Sequence, residues 1–156
     1  MTKVGMRQHS SGFTLIELLT VVALASVMMA VGIPSFKSFV AGQRVKTATG
    51  EFSSAATFAR SEAIKRNAEV GLFAATGGWG NGWSVKVGTT SLGEQLAYSG
   101  ITMSSGVTEV VYLGSGRLKE QATATSVQVN GTGTDAVRCV AFELSGLPKT
   151  RLGACS

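Results

Sequence analysis

The side chains able to do chemistry are sparse in this chain, and their placement argues against catalysis. Its single histidine, His9, lies among the first twelve residues, ahead of a long apolar run. Without His9 no imidazole remains for acid–base work or metal ligation, and Cys139 and Cys155 are too few for a zinc site. No other residues form a nucleophile–base pair that the sequence can argue for. The expectation is a protein that is not an enzyme and that takes no metal or cofactor. What stands out instead is charge in telling places. Glu17 is alone inside the apolar run, and two cation pairs, Arg117 with Lys119 and Lys149 with Arg151, each follow a glycine–serine turn.

Residues 13–33 are the element that must carry Glu17. They number 21 with one charge. A helix rising about 1.5 Å per residue over that length spans roughly the 30 Å hydrocarbon core of a bilayer. Lys3 and Arg7 precede it, and basic residues ahead of an apolar span stay on the cytoplasmic side. The expected topology is one span, with the N-terminus inside and everything after Ile33 outside. A cleavable secretory signal has a shorter apolar core and a small-residue cleavage site, neither of which is present. A plain signal anchor leaves Glu17 unexplained, because a carboxylate at the start of a span is costly unless paired.

Gly12-Phe13-Thr14-Leu15-Ile16-Glu17 resembles the leader junction of type IV pilins and type II secretion pseudopilins. In that family a prepilin peptidase cuts after the glycine and methylates the new N-terminal phenylalanine. The resemblance places the cut between Gly12 and Phe13, with N-methylation at Phe13. It also supplies a partner for Glu17, the α-ammonium of a neighbouring subunit's first residue; two charges costly when buried alone then offset one another.

Beyond the span, Gly32 and Pro34 interrupt the helical pattern, and a kink is expected at Pro34, which cannot donate to the preceding turn. Apolar residues then recur at Val45, Ala48, Phe52, Ala55, Ala59 and Ala63, a helical stripe for a sheet to pack on. Lys37, Arg44, Lys46, Glu51 and Lys65 fall off the stripe, Glu62 can meet Arg66 one turn on, and Phe58 is placed to face a neighbouring subunit. From Glu69 the pattern changes to short strands between glycine, serine and threonine, with candidates at 70–74, 83–87, 107–113, 125–129 and 137–144. Trp79-Gly80-Asn81-Gly82-Trp83 reads as a turn whose tryptophans either pack or stack on a ligand. The fold class is therefore α+β: a long N-terminal transmembrane helix continuing into an amphipathic half packed on an antiparallel β-sheet. The divisions are a leader at 1–12, a span at 13–33, an amphipathic helix at 34–67 and a β-rich region at 68–156.

Two interior stretches resemble the GspH/FimT branch of the pilin-like family. One is the tryptophan, glycine turn and Gly-Trp strand opening of Trp79 to Val85. The other is the strand, Ser-Gly turn and basic run from Cys139 to Arg151, closing at Cys155. Cys139 and Cys155 enclose fifteen residues and lie on the outer, oxidising side, where a disulfide is the default; free or metal-binding thiols are the alternative. Some FimT-type minor pilins bind DNA through a glycine–arginine–x–arginine motif in this loop. Here Gly146 is followed by Leu147, and Lys149 stands where the second arginine would be, exchanging a bidentate phosphate clamp for a point charge. If the two glycine–serine turns project together, Arg117, Lys119, Lys149 and Arg151 form a patch suited to phosphates; a solvated basic rim is the other reading.

The net charge of +5 falls to twelve basic against nine acidic residues once Lys3 and Arg7 leave with the leader, a balance that permits anionic partners without requiring them. The resemblance implies a minor pilin or pseudopilin of the inner membrane, with its globular domain periplasmic or in the assembled filament. Its implied partners are other pilin subunits, the prepilin peptidase and the inner-membrane assembly platform. Its implied role is to help initiate a type IV pilus or a type II secretion pseudopilus, the cysteine-closed loop leaning toward the pilus. DNA is the alternative partner.

Overall fold

The computed structural model describes residues 13–119, 125–143 and 145–155. The leader, with Gly12, and Leu144 at the end of one expected strand lie outside them. By internal contacts the chain forms two units, Met1–Phe36 and Lys37–Ser156.

One helix, α1 (Leu15–Arg66), runs through both, with Pro34 inside it. In the first unit its apolar side chains stay uncovered; Leu18, Val22 and Met29 are each more than half exposed. This stretch is long and apolar enough to cross a membrane. Asn67 ends the helix at φ 48°, and the Ala68 amide reaches back to the Ala63 carbonyl at 3.2 Å, closing the last turn as a Schellman-type cap does.

The second unit wraps the other half of α1 in two antiparallel four-stranded sheets, where a single sheet was expected. The strands are β1 (Val70–Ala74), β2 (Gly82–Val87), β3 (Thr90–Leu96), β4 (Ile101–Ser105), β5 (Glu109–Tyr112), β6 (Thr125–Gly131), β7 (Val137–Phe142) and β8 (Pro148–Leu152). The first sheet has the order β3-β2-β1-β5 and the second β4-β6-β7-β8. The sequence pattern points to five of these eight. It misses β3, β4 and β8, all at sheet edges; β3 and β8 carry no alternating apolar set, whereas β4 alternates through Ile101 and Met103 over only a short stretch. β5 is also shorter than the expected 107–113, because Val107 is taken up by the preceding turn: its carbonyl accepts the Trp79 indole N–H at 2.6 Å.

The helix face turned to the sheets is made of small residues with one large one. Val45, Ala48, Thr49, Phe52, Ala56, Ala59 and Ala63 are buried. Ala56 replaces the expected Ala55, which is only partly covered. Phe52 has no exposed surface, and its ring meets those of Trp79 and Trp83 at 5.1 Å and that of Phe142 at 6.1 Å, all edge to face. Trp79 and Trp83 are thus spent on the core, at 2% and 5% exposure, and a ligand-stacking role for them is ruled out. Between β1 and β2 the expected turn is a short 3-10 helix, Trp79–Asn81.

Candidate functional site

Three groups of residues carry the candidate chemistry. At the N-terminus of α1, Thr14 and Glu17 bind one another reciprocally. The Thr14 amide and hydroxyl donate to Glu17 Oε2 at 2.9 and 3.0 Å, and the Glu17 amide donates to Thr14 Oγ1 at 3.3 Å. This is a capping box, satisfying amides that the first helical turn leaves without partners. Its signature, threonine followed three residues later by glutamate, was present in the sequence beside the leader motif. Phe13, the expected new N-terminus, is 85% exposed.

The second group is the pair of glycine–serine turns, which have the same geometry. In one, the Gly116 amide donates to the Leu113 carbonyl at 2.8 Å and the Leu113 amide to the Arg117 carbonyl at 2.9 Å. In the other, the Gly146 amide donates to the Glu143 carbonyl at 2.8 Å and the Glu143 amide to the Leu147 carbonyl at 3.4 Å. Gly116 and Gly146 take positive φ, 76° and 81°, the left-handed conformation that closes such three-residue hairpin loops. The two turns touch. A Cβ built on Gly146 would stand 2.2 Å from the Gly116 carbonyl oxygen, so only glycine lets the loops meet. Arg60 of α1 donates from Nε to that same oxygen at 2.8 Å. No periodicity or motif marked Arg60 for this role, because its partner lies 56 residues away.

The turns come together, but their four cations do not behave alike. Lys119 pairs with Glu69 at 2.8 Å, and the hydrogen bond and charge of that carboxylate raise its pKa. Lys149 pairs with Glu143 at 2.5 Å. Arg117 and Arg151 are exposed and have no ion-pair partner among the described residues. In the β7–β8 register Lys149 lies opposite Ala141 and Arg151 opposite Cys139, so both cations share the face turned away from the buried Val140 and Phe142.

The third group is the clasp behind those cations. Cys139 and Cys155 form a disulfide, and the Cys155 amide donates to the Gln128 side-chain oxygen at 3.1 Å, tying the C-terminal segment across β7 to β6. No group of three or more potential metal ligands occurs among the described residues.

An uncovered apolar helix, a capping box at its start and a helix-wrapping pair of antiparallel sheets closed by a disulfide define a pilin-like α+β protein. The chain belongs to the GspH family of type II transport proteins, whose model matches residues 48–146. The model of the prokaryotic N-terminal methylation motif matches residues 7–33. Among solved structures, the chain is similar to the type IV minor pilin FimU of Pseudomonas aeruginosa in two crystal forms. One has 21% identity and a TM-score of 0.59, covering 70% of this chain and 92% of that one. The other has 19% identity and a TM-score of 0.61, covering 72% and 90%. It is also similar to the minor pseudopilin EpsH of the Vibrio cholerae type 2 secretion system, with 14% identity and a TM-score of 0.53 over 71% of this chain and 97% of that one. A search of curated protein sequences returned no match. The family is one of structural subunits, and the apolar helix with its methylation motif fits a membrane-anchored pilin.

Proposed function

We propose that this protein is a minor pilin or pseudopilin that helps initiate assembly of a type IV pilus or a type II secretion pseudopilus. It is cut between Gly12 and Phe13 by a prepilin peptidase, methylated at Phe13, and held in the inner membrane with its domain outside until the assembly platform takes it into the filament. The observation that carries this reading is the methylation motif joined to an apolar helix whose side chains stay uncovered among the described residues. Leu18, Val22 and Met29 need lipid or neighbouring helices around them, and a filament core offers the second. On entry, Glu17 leaves the cap it shares with Thr14, or extends it, to meet a neighbour's terminal ammonium. Pro34 is the point at which the helix bends.

The test is the intact mass of the protein from membranes of cells with and without the peptidase. Loss of residues 1–12 plus gain of one methyl group, only where the peptidase is present, is the expected result. An uncut chain in both strains overturns the proposal.

A second reading, capture of DNA, is favoured by the contact between the Gly116 and Gly146 turns, which gathers the segments bearing Arg117 and Arg151. With Lys119 and Lys149 held by carboxylates, two arginines remain to meet phosphates, and binding should weaken with salt at a log–log slope of about −2. A gel shift at low salt that disappears in the Arg117→Ala, Arg151→Ala double variant supports this reading. An unchanged shift, or none in the parent protein, removes it.

A further inference from the structure

Between Glu17 and Glu51 the chain carries no carboxylate, and the charges there are Lys37, Arg44 and Lys46. All three are exposed, and none has an ion-pair partner among the described residues. Elsewhere Lys65, Arg66, Lys119 and Lys149 each meet a glutamate. Arg44 rests against Gly100, where a Cβ would stand 3.7 Å from its Nη1. Asp135 is exposed on the turn whose Thr134 and Ala136 meet Gly42, and it pairs with none of the three cations.

These cations follow directly on the apolar run. On one helix rising about 1.5 Å per residue, Lys37 stands about 6 Å beyond Ile33 and Arg44 about 16 Å beyond it. The headgroup layer outside the hydrocarbon is about 5–8 Å deep, so Lys37 falls within it. Helical side chains lean toward the N-terminus, which turns the long arm of Arg44 back toward the apolar run. Its guanidinium then comes within one screening length of the headgroups, about 8 Å at physiological ionic strength. Lys37 and Arg44 share one side of the helix, and Phe39 between them in sequence is 61% exposed. Cations on the outer flank of a span run against the usual bias, which gathers them on the inner side. Their presence there without carboxylates asks for an anionic partner.

We propose that Lys37 and Arg44 bind the headgroups of anionic phospholipids in the outer leaflet of the membrane that α1 spans. The lysine meets headgroup phosphate as a point charge and the arginine as a fork of donors. Lys46, on the far side of the helix and farther from the apolar run, adds only to the field. The contact is electrostatic, so it strengthens with the share of anionic lipid and weakens with salt. It holds the subunit in the bilayer by a means separate from the apolar helix, and drawing the subunit out must break it. This proposal rests on the reading of residues 13–33 as a membrane span and names the lipid chemistry that meets its outer end.

The test uses the full-length chain in vesicles of phosphatidylcholine, alone or mixed with phosphatidylglycerol, with a trace of spin-labelled lipid of either headgroup. The fraction of label slowed by the protein gives its relative affinity for the two lipids. The Lys37→Gln, Arg44→Gln double variant should lower the preference for phosphatidylglycerol roughly fivefold or more, the worth of at least one cation at an anionic surface. Added salt should lower the parent's preference as well. Lys3 and Arg7 of the leader, present in every chain, set a common background. Arg117→Gln, Arg151→Gln, which removes the same charge from exposed positions among the strands, should leave the preference unchanged. An unaltered preference in the first variant, an equal fall in the second, or no preference in the parent each overturns the proposal. Flotation of the same vesicles separates two failures. Chains that float with phosphatidylcholine yet show no such preference remove the lipid contact and leave the span intact; chains that do not float remove the span and the contact together.

Discussion

Arg60 Nε donates to the Gly116 carbonyl oxygen at 2.8 Å across 56 residues of sequence. That oxygen is also the atom against which Gly146 rests, so one helix side chain fixes the first glycine turn while the first turn seats the second.

Removing Arg60 should therefore loosen both turns. Arg60→Ala leaves a carbonyl on buried Gly116 without this donor, at a cost of about 1–2 kcal/mol. The check is a lowered thermal midpoint of the full chain in detergent, together with faster amide exchange at Gly116 and Gly146.

The seating of Gly146 can be separated from its backbone conformation. Gly133 also has positive φ, 77°, but a Cβ there meets nothing within 4 Å. Gly133→Ala should cost about 1 kcal/mol for the left-handed backbone alone. Gly146→Ala adds a clash with the Gly116 carbonyl and should cost a further ~1–3 kcal/mol. Equal losses of denaturation midpoint in the two variants would mean that the turns do not lean on one another.

Tyr112 has no exposed surface, and its hydroxyl finds no hydrogen-bond partner among the described residues. Tyr112→Phe should thus be neutral or mildly stabilising near pH 7, since it removes a desolvated polar atom and keeps the ring. Burial raises the pKa of this phenol, with the nearby Arg60 charge opposing in part. The unfolded chain releases the proton near pH 10 while the folded chain retains it, so this group's contribution to stability is complete below about pH 10 and declines above it. Denaturation midpoints measured from pH 8 to pH 11 should fall less steeply in Tyr112→Phe than in the parent.

Reduction of the Cys139–Cys155 bond should cost about 3 kcal/mol, the usual effect of closing a loop of some fifteen residues. The Cys139→Ser, Cys155→Ser double variant should show that loss in urea denaturation and should expose the β8 segment to proteolysis. A double variant as stable as the parent would leave the clasp no structural role.

The sequence displayed those parts of the molecule whose physics is local or periodic. The apolar helix, the stripe through Val45, Phe52 and Ala63, and strand β1 at its observed bounds follow from hydrophobic spacing alone. So does the Glu62–Arg66 pair, at 2.6 Å one helical turn apart. The edge strands did not show, because Thr90–Leu96 and Pro148–Leu152 bury little and carry no alternation. The repeated glycine–serine turn was visible as a repeat, but its self-contact depends on the two sheets being set against one helix, and that is tertiary. For the same reason the four cations could be named while the capture of Lys119 and Lys149 by Glu69 and Glu143 could not.

The alanine-rich face of α1 has a mechanical consequence. Ala48, Ala56, Ala59 and Ala63 give the sheets a nearly smooth rail, and Phe52, held among Trp79, Trp83 and Phe142, is the one large side chain set crosswise in it. When the anchored helix is pulled along its axis, as a subunit drawn out of a bilayer would be, the shear on the domain concentrates at that ring. Phe52 is the pin that keeps the domain from sliding on its own shaft.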